Sequence, residues 1–227
     1  MKKKMMALCL CVALVAVAAV GATMAYFTDT QDVKNTFTVG NVKITLNETT
    51  VNLDGTAKEG ADRTTEGNAY KLFPGHTYTK DPMVTVKANS EESYVRMLVE
   101  VKNINELKEA FPAAKYPDYY AANGVFLLQK LVGEWDDATW ISTNTCTEKI
   151  VEGATCGTYE FRYKSTVAKA DTNTALEPLF TKFTIPQAAT SDDIAHLKTV
   201  EINVIANAIQ ADTFKNAAEA WAAFDAE

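Results

Sequence analysis

The stretch Y-V-R-M-L-V-E-V-K, Tyr94 to Lys102, decides the fold class. Val95, Met97, Val99 and Val101 fall on alternate positions, the period of a strand with one buried face. The habit repeats on both sides. Val42, Ile44 and Leu46 alternate with Asn41, Lys43 and Thr45, and Met83 to Ala88 follows the same rule. Val125 to Val132, Thr139 to Thr145, Thr158 to Lys164, Leu179 to Ile185 and Val200 to Ile209 complete about eight expected strands. Pro74, Pro82, Pro112, Pro117, Pro178 and Pro186 lie at the ends of these runs, where a missing N–H does least harm. Helical signals are few. Asn105 to Ala110 is short, and Ser191 to Leu197 reads as two turns capped by Ser191. A C-terminal amphipathic helix capped by Asp212 would carry Phe214, Ala218, Trp221 and Ala222 on one face, extended by Phe224. Many short strands with short peripheral helices predict a mainly β, jelly-roll-like two-sheet sandwich.

Two segments read as insertions into a single domain over 41–227. Residues 54–69 are rich in Gly, Thr, Asp, Glu and Asn and predict a mobile surface loop. Residues 102–124 carry Phe111, Tyr116, Tyr119 and Tyr120, expected to pack the insertion onto the sandwich; a glycan-binding patch is the alternative.

The chain opens with an export signal. Lys2, Lys3 and Lys4 form a positive start, Leu8 to Val20 an uncharged apolar run, and Thr23 and Ala25 place small side chains at −3 and −1 of a cleavage site. Cleavage between Ala25 and Tyr26 would leave an aromatic N-terminus, Tyr26-Phe27. An uncleaved anchor is the rival reading, since the apolar stretch to Ala25 approaches the ~20 residues that span a bilayer. Cys9 and Cys11 begin the apolar run rather than follow it, which argues against a lipidated cysteine. No C-terminal apolar tail or sorting pentapeptide is read.

Removing 25 of 227 residues leaves 202, and the three lysines lost reduce 22 basic residues to 19 against 29 acidic ones, a balance of −10. A chain this acidic repels phosphate backbones, so nucleic-acid binding is disfavoured. Two cysteines remain, Cys146 and Cys156. In an exported protein such a pair predicts a disulfide, whose loop of about ten residues would be worth roughly 2.7 kcal/mol. Register decides the matter. A loop centred on Val151 sets the cysteines face to face, whereas a two-residue turn at Glu152-Gly153 sets Cys146 opposite Tyr159.

Chemistry is sparse. His76 and His196 are the only histidines, and neither lies in an H-E-x-x-H helix. No G-x-S-x-G elbow or P-loop occurs. Two cysteines without nearby histidines make half a zinc shell. No catalytic residue, metal ligand or cofactor is assigned.

The stretch AYFTDTQDVKNTFTVGNVKITLNE, Ala25 to Glu48, resembles the start of the TasA and camelysin (CalY) relatives of Gram-positive bacteria, which a SipW-type signal peptidase processes. The resemblance runs through Tyr26, Phe27, Asp29, Asn35, Phe37, Gly40, Val42, Ile44 and Leu46. LFPGHTYTKDPMVTVKANSEESYVRMLVEV and INVIANAIQADTFKNAAEAW resemble two further blocks of the family. Together the blocks cover roughly 80 residues of the mature chain; residues 102–198 carry no recognisable motif. The resemblance implies a secreted jelly-roll-like subunit of extracellular biofilm-matrix or cell-surface fibres. Its partners would be other copies of itself, with an accessory fibre protein as a further candidate. An N-terminal segment of one subunit would add as a strand to the next. Residues 26–40 are the candidate donor, with Tyr26, Phe27, Val33, Phe37 and Val39 supplying apolar contacts. Tyr26 to Asn35 is its better part, and Phe37 to Leu46 is expected to pair within its own domain. The camelysin name also implies a cell-surface metallopeptidase. A surface adhesin built on the tyrosine-bearing insertion is the remaining alternative.

Overall fold

Alternation along Tyr94–Lys102 becomes the central strand of a four-stranded sheet. The computed structural model describes residues 41–120, 126–133, 135 and 137–226. Among them the strands are β1 (Ile44–Asn47), β2 (Thr77–Thr79), β3 (Met83–Val86), β4 (Ser93–Lys102), β5 (Trp140–Val151), β6 (Ala154–Tyr163), β7 (Thr174–Ala175), β8 (Lys182–Thr184) and β9 (Glu201–Gln210). Short helices α1 (Ile104–Ala110), α2 (Phe126–Val132), α3 (Ser191–His196) and α4 (Ala217–Phe224) lie between or after them. The strands pair antiparallel in the orders β5-β6-β4-β9, β1-β3-β7 and β2-β8. This mainly β arrangement with few short helices fits the expected sandwich.

The core forms where inward rows meet. Val95, Met97, Val99 and Val101 of β4 are at most 1% exposed, and Tyr159 and Phe161 of β6 stand beside them. Each such side chain contributes about 1.5–3 kcal/mol by leaving water. At the β2-β8 end, Tyr78 stacks on Phe183 with ring centroids 4.9 Å apart, and Tyr70 meets Phe183 edge-on at 5.0 Å. Gly55, at φ +82°, lets the chain cross Tyr78 where a Cβ would overlap that ring. Gly157 on β6 likewise leaves room for Ile104, which seats α1 against the sheet.

Several expectations are corrected. Residues 126–132 form helix α2, not a strand: Leu127, Leu128, Leu131 and Val132 are buried at helical spacing, and a short apolar run does not reveal its period. The segment 54–69, expected as a mobile loop, is tied down. Val51 bridges Ala57 and Glu48 bridges Thr64, while Arg63 bonds Asn47, Thr49 and Asp81. The cap of α3 is Thr190, whose Oγ1 accepts from the Asp193 N–H while Asp193 accepts from the Thr190 N–H, a capping box. Asn216, not Asp212, caps α4. The buried face of α4 is set by Ala220 and Trp221, with Ala217 and Phe224 half-buried; Ala218 and Ala222 face water.

The expected Cys146–Cys156 disulfide is absent, and both thiols are free. Glu152 (φ 51°) and Gly153 (φ 83°) form a two-residue turn with both residues left-handed, the geometry of a type I′ hairpin. That turn pairs Val151 with Ala154, hence Cys146 with Tyr159 and Cys156 with Lys149. Cys146 therefore shares the inner face with Tyr159, and Cys156 points to the other side of the sheet. The thiol pKa of Cys146 is raised by burial. As expected, the aromatics of the 102–124 insertion pack inward: Phe111 and Tyr116 are buried with rings 5.5 Å apart, and the Tyr120 hydroxyl donates to the Lys108 and Phe111 carbonyls.

Candidate functional site

Among the described residues the four-stranded sheet ends on β9, which there has a ladder partner on one side only, β4. Its inward row, Ile202, Val204, Ala206 and Ala208, packs against the core but stays partly exposed. β1 lies alongside, and its Leu46 is also only partly covered. Leu46, Ile202, Val204 and the stretch Thr64 to Gly67 line a cleft of about 150 Å³. One wall holds a buried ion pair. Lys80 Nζ donates to Glu48 Oε2 at 2.8 Å with both side chains under a tenth exposed, and Asn68 donates to Glu48 Oε1 at 2.9 Å. Two charges this dry are tolerated only because each is answered by the other and by further hydrogen bonds. Beside them Asp81 takes hydrogen bonds from Thr49 and Arg63. Burial pushes its carboxyl pKa up, but the bonds from Arg63 and Thr49 outweigh it and hold the value below the ordinary one.

On the outer face of the sheet, cover is found at Arg96. Arg96 points away from the core yet is only 4% exposed, because α4 lies over it. Its guanidinium carbon sits 4.5 Å from the Trp221 ring and 5.0 Å from that of Phe224. Nη1 and Nη2 grip the two oxygens of Asp225, and Nε donates to Asn207 on β9. The fork and the aromatic faces together fasten the C-terminal helix to the sheet. The hydrogen bond from Arg96 keeps the Asp225 pKa below its ordinary value.

A third cluster lies where α1 meets α3. His196 Nδ1 is 2.9 Å from Glu106 Oε2 and 3.4 Å from Glu109 Oε2. One donor atom from each of the three lies within 4.8 Å of the others. Glu106 and Glu109 are one helical turn apart, so both carboxylates leave the same face of α1. The side chains are 41%, 63% and 41% exposed for Glu106, Glu109 and His196. The hydrogen bond to Glu106 raises the imidazole pKa.

Of the residues singled out in the sequence, Ala25, Tyr26, Phe27, Val33, Phe37 and Val39 lie outside the described residues. Cys146 and Cys156 are placed on opposite faces. His76 sits just before β2, its ring 5.3 Å from that of Phe73, while His196 belongs to the α1–α3 cluster. Arg96 with Asp225, Lys80 with Glu48, and the two glutamates at His196 were not singled out. Their partners are 129, 32 and up to 90 residues away in sequence, and no local pattern joins them.

Fold and site define the class: a mainly β sandwich protein whose four-stranded sheet has one flank left half-covered. The family model described as camelysin metallo-endopeptidase matches residues 1–60, and that match supports the TasA/camelysin family. It takes in β1 and the first part of the 54–69 segment. No curated protein and no solved structure matches the chain. The family's name implies a metal. One imidazole and two carboxylates at Glu106, Glu109 and His196 are a donor set that fits a divalent cation. Their side chains are exposed and none of them lines the β1–β9 cleft, and the cluster by itself carries no peptide-cleaving mechanism. Among the described residues, no helix is long and apolar enough to cross a membrane.

Proposed function

We propose that this chain is a secreted structural subunit of extracellular or cell-surface fibres, in which residues 26–40 of one copy add as a strand to β9 of the next. The observation that carries the reading is the half-covered β9 flank, with a ladder on one side among the described residues and a partly exposed apolar row. A strand laid on such an edge gains main-chain hydrogen bonds while alternate side chains fill the adjoining groove. The donor has matching periodicity. Phe27, Val33, Phe37 and Val39 all occupy odd positions, so in an extended chain they share one face. Ile202, Val204, Ala206 and Ala208 offer the same two-residue repeat, about 6.7 Å per step. Burying the four donor side chains is worth several kcal/mol at about 1.5–3 kcal/mol each, set against the entropy of ordering the segment. Removal of the signal at Ala25-Tyr26 would free the donor, tying export to the onset of polymerisation. The acidic balance keeps the subunits apart in solution until that strand is exchanged.

Electron microscopy of protein beginning at Tyr26 tests the reading. Fibres are expected from that protein and none from a version lacking Tyr26 to Asn35. Monomers from the first, or unchanged fibres from the second, would refute it.

A further inference from the structure

We infer that Glu106, Glu109 and His196 form a surface site for a divalent cation of the zinc class, which staples α1 to α3. Zinc holds nitrogen and oxygen donors at about 2.0–2.2 Å in a tetrahedron, which puts neighbouring donors about 3.3 Å apart. The imidazole-to-carboxylate distances here are 2.9 and 3.4 Å, so little movement separates the observed arrangement from a ligating one. The donor types suit the ion: one imidazole nitrogen and two carboxylate oxygens leave the fourth position open to water.

Charge points the same way. Glu106 and Glu109 turn two carboxylates toward one imidazole, and the Asp193 carboxylate adds to the negative field there. Two lysines of the 102–124 insertion are engaged elsewhere: Lys108 pairs with Glu148, and Lys115 pairs with Asp193. One proton on His196 supplies a single positive charge against two carboxylates; a divalent cation answers both. The platform is also fixed in place. Ile104 anchors α1 in the space left by Gly157, and the Thr190–Asp193 capping box fixes the start of α3, the helix that ends at His196. Donors from two helices joined through an ion would hold the 102–124 insertion against the chain that leads into β9 (Leu197 to Val200). Nothing in the fibre reading requires this site.

The test uses protein beginning at Tyr26, which lacks Cys9 and Cys11, with Cys146 and Cys156 replaced by serine, so that thiols cannot capture metal. Calorimetric titration of the chelator-treated protein with zinc chloride at neutral pH is expected to show one ion per chain. X-ray absorption of the loaded protein should show imidazole nitrogen and carboxylate oxygens at about 2.0–2.2 Å. His196→Ala and Glu106→Gln with Glu109→Gln should each weaken binding by more than about tenfold. These are exposed positions, so circular dichroism should report an unchanged fold, and His76→Ala should bind like the parent. Three results would overturn the assignment: no uptake below about millimolar zinc, undiminished binding in His196→Ala, or loss of binding in His76→Ala. The first of these would leave the cluster a proton-bridged ion pair only.

Discussion

β6 and β9 flank the same strand, β4, and turn their inner rows toward the same core, yet they are finished differently. Tyr159 and Phe161 of β6 are at most 1% exposed, with β5 beyond them, Ile104 lodged over Gly157, and the Trp135 ring 5.0 Å from that of Phe161. Ile202, Val204, Ala206 and Ala208 of β9 remain partly open and border a cleft. A sheet position becomes core only when it has both a lateral neighbour and a covering layer. β6 has both, whereas β9 has, among the described residues, one ladder and an incomplete cover, which is why it is the flank assigned to a strand from another copy.

Stability measurements can break this comparison. Phe161→Ala should cost about 3–5 kcal/mol in urea unfolding, the range for deleting a buried aromatic. Val204→Ala should cost no more than about 1 kcal/mol in the isolated subunit, because the lost methyls are already half in water. Equal losses would mean that β9 is as much core as β6. The cleft wall should be nearly as sensitive as β6. Lys80→Ala leaves Glu48 buried without its cation and should cost about 3–5 kcal/mol, whereas Lys80→Met combined with Glu48→Gln should recover most of that loss. If the double change is no better than the single one, the pair is more open to water than its burial indicates.

The smallest effect is acid dependence at the same flank. The Asp81 pKa is lower in the fold than in the unfolded chain, so its contribution is present above the ordinary carboxylate value of about 4. It is lost as pH falls through the folded value. Replacing Asp81 by Asn should flatten the decline in stability below about pH 4 relative to the parent. An unchanged slope would show that other carboxylates carry it.

Much of the fold is legible in the sequence because alternation is a local signal. β4 and β9 follow from Val95-Met97-Val99-Val101 and from Val200 to Ile209, and Pro82 and Pro186 stand just outside β3 and β8. What misleads is where two local rules give different answers. Residues 126–132 are apolar enough for either a buried strand or a helix, and only packing chooses. For the cysteines, both registers can be written down in advance, but the left-handed pair Glu152-Gly153 selects the one that separates them. The apolar face of α4 is misjudged by one position because Arg96, not an aliphatic row, is what the helix covers. The ion pairs and the His196 cluster are not legible, since each is assembled by tertiary contacts between segments that share no motif. The half-covered flank of β9 belongs to the same class: it is a property of what lies beside a strand, not of the strand's own sequence.

The central claim is that β9 accepts a strand from another copy, and negative-stain electron microscopy of Val204→Lys in protein beginning at Tyr26 tests it most directly. The substitution puts a charge into the groove while leaving the donor segment intact. The account predicts a folded monomer that forms no fibres, beside a parent protein that does. Fibres of ordinary length and number from Val204→Lys would contradict it.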